Sequence, residues 1–254
     1  MGAEGVTFRE SLIGGDLIVG AFVKTPSPIV FEVLGLTALD CLCLDAEHAP
    51  FDRLAIDACV MAARAAGKPI LVRTPTSAPE HILNALDCGA TGVVLPHIRS
   101  VEEAKAAALA ACYGAGGRGY AGSSRAADYT TKSMADHLSG SAATTTVIAQ
   151  IEDIEAVETI DAIAHVPGID ALFVGRVDLT VAMGASSQDD PRVVAAVERV
   201  CGAGRAAGRT VGMFLSRPDD IAAWRDKGAS LFLLGSDHAF MLAGAAELAR
   251  AARG

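Results

Sequence analysis

The sequence predicts a (β/α)8 barrel, a single α/β domain in which eight parallel strands alternate with helices. Short apolar runs of strand length recur eight times, and alanine-rich segments with helical periodicity lie between them. Glycine often follows these segments, as it does at the ends of helices. The 254 residues suffice for one such barrel, which takes about 250 residues. We therefore assign residues 1–254 to one domain.

The predicted strands are continuous apolar runs rather than alternating ones, which is typical of parallel strands buried on both faces. In chain order they are Ile18–Val23, Leu39–Leu44, Ile70–Val72, Gly92–Leu95, Val147–Ile151, Ala171–Val174, Thr210–Phe214 and Leu231–Leu234.

The predicted helices occupy most of the segments between these runs. They are Ala49–Ala66, Pro79–Cys88, Val101–Cys112, Glu155–His165, Pro191–Ala207, Asp219–Lys227 and His238–Ala252. A doubly wound open sheet is the competing architecture. It would require a glycine-rich phosphate-binding turn after the first strand, and Val23-Lys24-Thr25-Pro26 is not one.

One long stretch, Tyr113–Thr146, is rich in Gly, Ser, Thr and Ala and carries no predicted helix. Insertions of this kind often cover an active site or contact a neighbouring subunit. Its Gly114–Gly119 segment lacks the Gly-Lys-[Ser/Thr] ending of a nucleotide-binding loop. We interpret it as a turn that orients Arg118.

Composition excludes several classes of partner. A net charge of −9 argues against nucleic acid or an anionic membrane surface, because no basic stripe is present to neutralise phosphates. We see no signal peptide and no apolar run of about 18 residues that would span a membrane. Cys41 and Cys43 project to one face of a strand, and no CxxC is present. Buried reduced thiols in a cytoplasmic protein are therefore expected.

Polar residues follow four of the predicted strands. Leu39–Leu44 leads into Asp45, Glu47 and His48, and other strands end at Arg73, at Glu152 and shortly before Asp178. Active sites of (β/α)8 barrels lie at the carboxyl ends of the strands. The sequence therefore predicts a catalytic site at this end.

Glu152 and Asp178 leave neighbouring strands, which lie about 4.8 Å apart, so the two carboxylates can share a divalent ion. Oxygen ligands suit Mg²⁺ or Mn²⁺. The alternative is that both acids cap the helices that follow, and spacing alone does not decide between the two.

Arg73 at a strand end can donate to an oxygen that becomes negative during a reaction. Its alternative is a salt bridge with Asp45 or Glu47. His48 lies three residues after Asp45, a spacing that suits a carboxylate orienting an imidazole base.

Three further residues have less specific surroundings. Phe214 ends a strand and would form either a pocket wall or part of the core. Asp87 closes a helix and is, on the residues alone, a surface or interface acid. Lys24 is the only lysine placed for a Schiff base, and no Gly-x-Ser-x-Gly elbow indicates a serine nucleophile.

Five segments together resemble the HpcH/HpaI family of metal-dependent pyruvate aldolases, from about Gly20 to the C-terminal helix. They match the family in order and spacing, and they are Leu44-Asp-Ala-Glu-His-Ala-Pro50, Val72-Arg73, Leu86-Asp-Cys-Gly-Ala90, Gln150-Ile-Glu152 and Val174-Gly-Arg-Val-Asp-Leu179.

The resemblance implies a barrel that exchanges its last helix with a partner and assembles as a hexamer, a trimer of dimers. It also implies a divalent metal held by Glu152 and Asp178, with Mg²⁺ or Mn²⁺ favoured and Co²⁺ or Zn²⁺ as alternatives. A 2-oxo acid would bind this metal.

The resemblance further implies roles for single residues. Arg73 would stabilise the enolate oxygen, and His48, oriented by Asp45, would be the acid/base. Asp87 would reach an active site across a subunit interface. The backbone around Val177 and Asp178 would hold the substrate carboxylate. Gln150 and Phe214 are further residues that we expect to bind the substrate.

The sequence departs from the family pattern at two positions. Gly175-Arg-Val-Asp-Leu179 has Arg176 where the family commonly has proline, and Leu95-Pro-His97 has a histidine where methionine is common. Arg176 lies next to the metal loop, whereas His97 leaves the fourth strand and faces either the pocket or the interface. Both changes bear on the choice of donor and acceptor rather than on the reaction type.

The expected activity is that of a class II aldolase, a carbon–carbon lyase. It would add the enolate of pyruvate or hydroxypyruvate to an aldehyde, giving a 4-hydroxy-2-oxo acid. A citrate-lyase-like acyl-CoA lyase is the first alternative and requires a basic groove, for which only Arg118 with Arg125 offers a candidate. The second is a barrel that binds a metabolite without turnover.

Overall fold

The computed structural model describes residues 6–254 and contains a closed barrel of eight parallel strands. Each strand pairs with the next along the chain, and β8 pairs with β1. The predicted (β/α)8 fold is therefore confirmed. The strands are β1 (Ile18–Val23), β2 (Cys41–Asp45), β3 (Ile70–Arg73), β4 (Gly92–Leu95), β5 (Thr146–Ile151), β6 (Ala171–Val174), β7 (Thr210–Leu215) and β8 (Ala229–Ser236).

Twelve α-helices and two short 3-10 helices occur in the part of the chain that the structure describes. The 3-10 helices are Arg125–Thr130 and Pro218–Asp220. The α-helices are α1 (Phe8–Gly14), α2 (Pro28–Gly35), α3 (Arg53–Ala65), α4 (Pro79–Asp87), α5 (Val101–Ala111), α6 (Met134–Thr144), α7 (Ile154–Glu158), α8 (Ile160–Ala164), α9 (Arg176–Ala182), α10 (Pro191–Ala206), α11 (Ile221–Asp226) and α12 (Asp237–Ala251).

Four helices were not predicted, namely α1, α2, α6 and α9. The helix predicted over Glu155–His165 is two short helices, because the chain leaves helical geometry at Thr159. The stretch Tyr113–Thr146 is less irregular than expected, since it contains α6.

The core has two layers, one on each face of the strands. Leu42 and Leu44 point outward and pack with the helices, whereas Cys41 and Cys43 point into the barrel. This alternation follows from the two-residue period of a strand, and it confirms that both cysteines share one face. At the amino-terminal end, Leu12 of α1 packs into the inner layer and closes the barrel.

The insertion between α5 and β5 lies at the amino-terminal end of the barrel, because α5 runs back from the carboxyl end of β4 to the start of β5. It therefore does not cover the carboxyl end of its own barrel. Arg118 is buried here, packs over the Tyr113 ring with 4.6 Å to the centroid, and donates to Asp87 at the end of α4. The turn thus orients Arg118 towards Asp87.

A search of residues 6–254 for helices of membrane-spanning length and hydropathy finds none.

Candidate active site

The inner face of the barrel changes from apolar to polar towards the carboxyl ends of the strands. Asp45 follows Cys43 at a two-residue spacing on β2, and Arg73 follows Leu71 on β3 in the same way. Gln150 and Glu152 repeat this pattern on β5 and its exit. The period of the strand therefore aims a layer of ionisable and amide groups into the barrel mouth.

A cavity of about 290 Å³ opens above this polar layer. Its wall includes aromatic rings from β1, β6 and β7 as well as Lys24 and Ser236. The predicted residues that line it are His48, Arg73, Gln150, Val177, Asp178 and Phe214.

The Arg73 guanidinium binds Asp45 through two hydrogen bonds, 3.0 Å from Nε to Oδ1 and 2.8 Å from Nη2 to Oδ2. The strand register places the two residues side by side. Lys24 Nζ lies 3.2 Å from the same carboxylate. Burial disfavours the charged forms, but the paired charges prevail: the pKa of Asp45 is lowered and that of Arg73 is raised. A permanently charged guanidinium therefore lies at the cavity floor.

His48 is placed differently from the prediction. Asp45 accepts a hydrogen bond of 3.2 Å from the backbone N–H of His48 and does not contact the imidazole ring. Instead, Nε2 of His48 lies 3.7 Å from Oε2 of Glu47. Because Arg73 binds both oxygens of Asp45, the neighbouring glutamate is the carboxylate nearest the ring.

Glu47, His97 and Glu152 form a further cluster, in which one donor atom of each lies within 4.8 Å of the others. Glu152 Oε1 accepts from the His97 backbone at 2.9 Å and lies 3.4 Å from its Nδ1. His97 has a φ of 55°, which is uncommon for a residue with a side chain, and its Nδ1 lies 2.9 Å from Oδ2 of Asp153, which holds the ring beside the acids. Burial, together with Glu152, raises the pKa of Glu47.

Sequence reasoning did not identify this cluster. The sequence indicates Glu47 as one of the polar residues after β2 and as an alternative partner of Arg73, and it indicates His97 as a departure from the family pattern. β2 and β4 are not adjacent, so the convergence arises from closure of the barrel around β3. The signal available in the sequence was the polar residue that follows each of these strands.

Glu152 also lies close to Asp178 across the exit of β6. Oε2 of Glu152 and Oδ2 of Asp178 lie 2.8 Å and 3.4 Å from the point where a Cβ of residue 175 would be. Gly175 leaves that space to the two carboxylates. Gln150 donates from Nε2 to Glu152 and holds that carboxylate in place.

The donor set fits a divalent metal ion. The cluster offers two carboxylates and one imidazole, Asp178 adds a third carboxylate beside Glu152, and such ligands bind Mg²⁺, Mn²⁺ and related ions. Oε1 of Gln150 is buried without a hydrogen bond to any described residue, and Oε2 of Glu47, which also accepts none, lies 3.3 Å from Nε of Arg73. Buried polar atoms of this kind normally have a partner, and a bound ion with its waters would supply one.

Arg176, at the first position of α9, also lines the cavity. Its side chain packs over Trp224 with 4.9 Å to the ring centroid. Burial lowers its pKa below the ordinary value for arginine, although the guanidinium stays charged near neutral pH. Asp87, in contrast, lies at the opposite end of its own barrel, where it pairs with Arg118.

Comparisons with known proteins give one consistent result. A sequence profile described as HpcH/HpaI aldolase/citrate lyase matches residues 19–243. The 5-keto-4-deoxy-D-glucarate aldolase of Enterobacter sp. strain 638 is 34% identical over 232 residues, which are 91% of this chain and 90% of that protein.

Solved structures agree with the sequence match. An HpcH/HpaI aldolase/citrate lyase family protein from Burkholderia cenocepacia J2315 superposes with a TM-score of 0.93 at 30% identity, covering 98% of this chain and 100% of the other. The HpcH/HpaI aldolase from Desulfitobacterium hafniense DCB-2 gives a TM-score of 0.90 at 28% identity, over 98% and 97% of the two chains. The chain belongs to the HpcH/HpaI aldolase/citrate lyase family and is a class II, metal-dependent aldolase.

Proposed function

We propose that the enzyme reversibly adds the enolate of pyruvate or hydroxypyruvate to an aldehyde, giving a 4-hydroxy-2-oxo acid. The observation that carries this proposal is a single cavity at the carboxyl end of the barrel that joins Arg73, His48 and Asp178. A fixed cation, a titratable base and a metal-binding carboxylate are the groups that enolate chemistry requires.

Glu152 and Asp178 are the proposed ligands of a divalent ion, Mg²⁺ or Mn²⁺ by preference and Co²⁺ or Zn²⁺ as alternatives. When bound, such an ion supplies Lewis acidity for the keto oxygen of the substrate. Two observations support this choice: both carboxylates flank Gly175, and Gln150 orients Glu152. Glu47 and His97 each have a donor atom within 4.8 Å of Glu152 and would affect the metal affinity of the same site.

Arg73 stabilises the oxygen that becomes negative when the enolate forms. Asp45 accepts from Nε and Nη2, which fixes the plane of the guanidinium. A donor that is already oriented needs no rearrangement during the reaction, so its effect on the rate is large.

His48 moves the proton. In cleavage, the base accepts the proton of the 4-hydroxyl group, the C3–C4 bond breaks, and the aldehyde leaves. The electron pair of that bond becomes the enolate, which then takes up a proton at C3. His48 lines the cavity with about half of its side chain exposed, and its Nε2 lies 3.7 Å from Oε2 of Glu47.

The remaining cavity wall would bind the 2-oxo acid. Following the family resemblance, the backbone around Val177 and Asp178 would hold the substrate carboxylate, with Gln150 and Phe214 completing the wall. Phe214 stacks at a tilt on Phe22, with 6.2 Å between the ring centroids. Both rings therefore form an apolar wall for the carbon chain.

The acyl-CoA alternative finds less support. A coenzyme A ester carries several phosphates and would need a basic groove, for which the sequence offers only Arg118 with Arg125. Arg118 is buried against Asp87, and Arg125 pairs with Asp57 at 2.6 Å. Both of these arginines belong to the insertion at the amino-terminal end of the barrel.

A homo-oligomer formed by exchange of α12 is proposed as well, a hexamer built as a trimer of dimers. Every residue of α12 after Asp237 is exposed, including Met241, Leu242 and Leu248. Apolar side chains left uncovered on one helix indicate a partner surface. Within such an assembly, Asp87 could face the cavity of a neighbour. A cytoplasmic location is part of the same proposal.

The test is proton exchange at C3 of pyruvate and hydroxypyruvate in D₂O, followed by NMR. We expect exchange with Mg²⁺ or Mn²⁺ and none after EDTA treatment, because the enolate would no longer be stabilised. The donor that exchanges faster identifies the substrate class.

Two results would contradict the proposal. Exchange that survives EDTA but stops with borohydride would assign the chemistry to a Schiff base on Lys24. Absence of exchange with every metal would leave a barrel that binds a metabolite without turning it over.

A further inference from the structure

Arg176 is a buried cation without a counter-ion. Only 7% of the residue is exposed, and no ion pair to it occurs within residues 6–254. Its Nη2 donates to the backbone oxygen of Gln188 at 3.3 Å, and its Nε has no hydrogen-bond partner. A buried guanidinium normally has a carboxylate partner, because its desolvation is otherwise not offset.

The neighbouring acids do not provide that partner. Asp220 pairs with Arg217 at 3.0 Å. Asp189 is an exposed residue of the α9–α10 connection and makes no ion pair with Arg176. The remaining contact is the face of Trp224, which holds the guanidinium in one orientation. The cation is therefore preorganised and lacks an anion.

The position of Arg176 indicates where this anion would come from. The residue lines the reaction cavity, and with Val177 and Gln188 it also lines a more open depression of about 520 Å³ at the α9–α10 connection. Ser186 and Ser216 also line this depression. Arg176 thus stands between the reacting centre and the route towards solvent.

We propose that Arg176 binds a second anionic group, a carboxylate or a phosphate, on the aldehyde half of the substrate. This inference rests on the proposed aldolase function and specifies its acceptor. The guanidinium donates to Gln188, and both residues line the reaction cavity as well as the depression beside it. Arg176 would therefore contact the part of the substrate that extends from the reacting centre towards this depression. Arg176 is then the residue that selects a charged aldehyde over a neutral one.

The first experiment compares acceptors of matched length with pyruvate as donor. Succinic semialdehyde is paired with butanal, and glyceraldehyde 3-phosphate with glyceraldehyde, and the kcat/KM ratio is measured for each pair. We expect the wild type to prefer a charged acceptor and Arg176→Gln to lower that ratio roughly 10- to 100-fold, the effect of losing a charge-assisted hydrogen bond. If the ratio falls for succinic semialdehyde and butanal, the anion is a carboxylate; if it falls for the glyceraldehyde pair, the anion is a phosphate.

Two variants serve as controls. Arg176→Lys should retain part of the ratio because it keeps the charge. Arg192→Gln alters a nearby exposed arginine that is paired with Asp190, and it should leave the ratio as in the wild type. An unchanged ratio in Arg176→Gln would overturn the proposal. Equal losses for charged and neutral acceptors, which also leave the ratio unchanged, would mean that Arg176 binds the donor or only stabilises the fold.

A binding measurement separates this inference from the proposed reaction. Trp224 is the only tryptophan of the chain and lies against Arg176, so its fluorescence reports on an anion bound there. Titration of the Mg²⁺-loaded enzyme with succinate and with inorganic phosphate should give a saturable change that is lost in Arg176→Gln. The same change in both proteins, or none in the wild type, would refute the anion site even if C3 proton exchange confirms the aldolase.

Discussion

At the scale of single residues, the pairing of Arg73 with Asp45 decides how the site is built. The β2–β3 register places the two side chains at the same level, and burial makes their ion pair the fixed electrostatic feature of the cavity. As a consequence, Asp45 orients the arginine, and the carboxylate nearest the His48 imidazole is that of Glu47. The sequence spacing suggested the opposite assignment, because residues close in the chain are easier to connect than residues on different strands.

Substitution of Arg73 or His48 by alanine should lower kcat by about 10² to 10³-fold, because each removes a group that acts only in the transition state. The variants should keep the fold, which circular dichroism can confirm. Arg199→Ala is the control, since Arg199 is exposed and pairs with Asp161 on an outer helix. A His48→Ala enzyme with wild-type kcat would remove His48 from the mechanism and direct attention to Glu47.

Gly175→Ala should weaken metal binding. The added Cβ would lie 2.7 Å from Cβ of Glu152 and 2.8 Å from its Oε2, so the carboxylate has to move. We expect a roughly 10- to 100-fold higher Kd for Mn²⁺, measured by electron paramagnetic resonance of the free ion. Gly202→Ala, in the open interior of α10, has nothing within 4 Å and should bind Mn²⁺ like the wild type. Equal affinities in the two variants would show that Glu152 does not bind the metal.

The residues of the site were predictable from the sequence to different degrees. Arg73, Glu152 and Asp178 stand out because a charge interrupts an apolar run at a strand end. The approach of His97 to Glu152 did not stand out, because it depends on a left-handed backbone conformation and on the spacing of strands two positions apart in the barrel. The unpaired state of Arg176 likewise depends on where α11 places Trp224.

At the scale of elements, the strands were easier to predict than the helices. A parallel strand buried on both faces needs an unbroken apolar run, and all eight runs became strands. Helices α2 and α9 contain eight and seven residues, about two turns each. Such a short segment is not long enough to show a clear 3.6-residue period of apolar residues. Helix α6 lies in a sequence rich in Gly, Ser and Thr, where tertiary contacts override weak helix propensity.

Helix α1 shows what such a short element contributes. Leu12 is fully buried in the inner layer of the barrel, and Thr210 donates to its backbone oxygen. Leu12→Ala should therefore lower the free energy of unfolding by about 2–5 kcal/mol, as measured by urea denaturation. Ile13→Ala, at the neighbouring half-exposed position, should cost much less. If both variants lose the same stability, α1 does not close the barrel in solution.

At the scale of the whole molecule, burial controls the chemistry of the cysteines. Five of the six are buried, and Cys112 is exposed. Burial raises the pKa of Cys41 to about 12 and that of Cys59, Cys88 and Cys201 to about 11, so these thiols stay protonated near neutral pH. Ellman's reagent at pH 8 should modify one thiol rapidly in the native enzyme and six after denaturation. Cys112→Ser should remove the rapid phase; a rapid phase that persists would place another cysteine at the surface.

The exposed apolar side chains of helix α12 have no packing partner among residues 6–254 of a single barrel. Met241 and Leu248 are 56% and 74% exposed and, seven residues apart, lie on one face of the helix. If α12 packs on a neighbouring subunit, a charge on this face would be buried without a partner, and the assembly would dissociate. Sedimentation of the wild type should give a hexamer, and the Met241→Glu, Leu248→Glu double variant should give smaller species. Arg250→Glu adds a similar charge to the same helix at a polar position and should leave the hexamer intact. A wild type that sediments as a monomer would refute the exchange of α12, and Asp87 would then have no neighbouring cavity to enter.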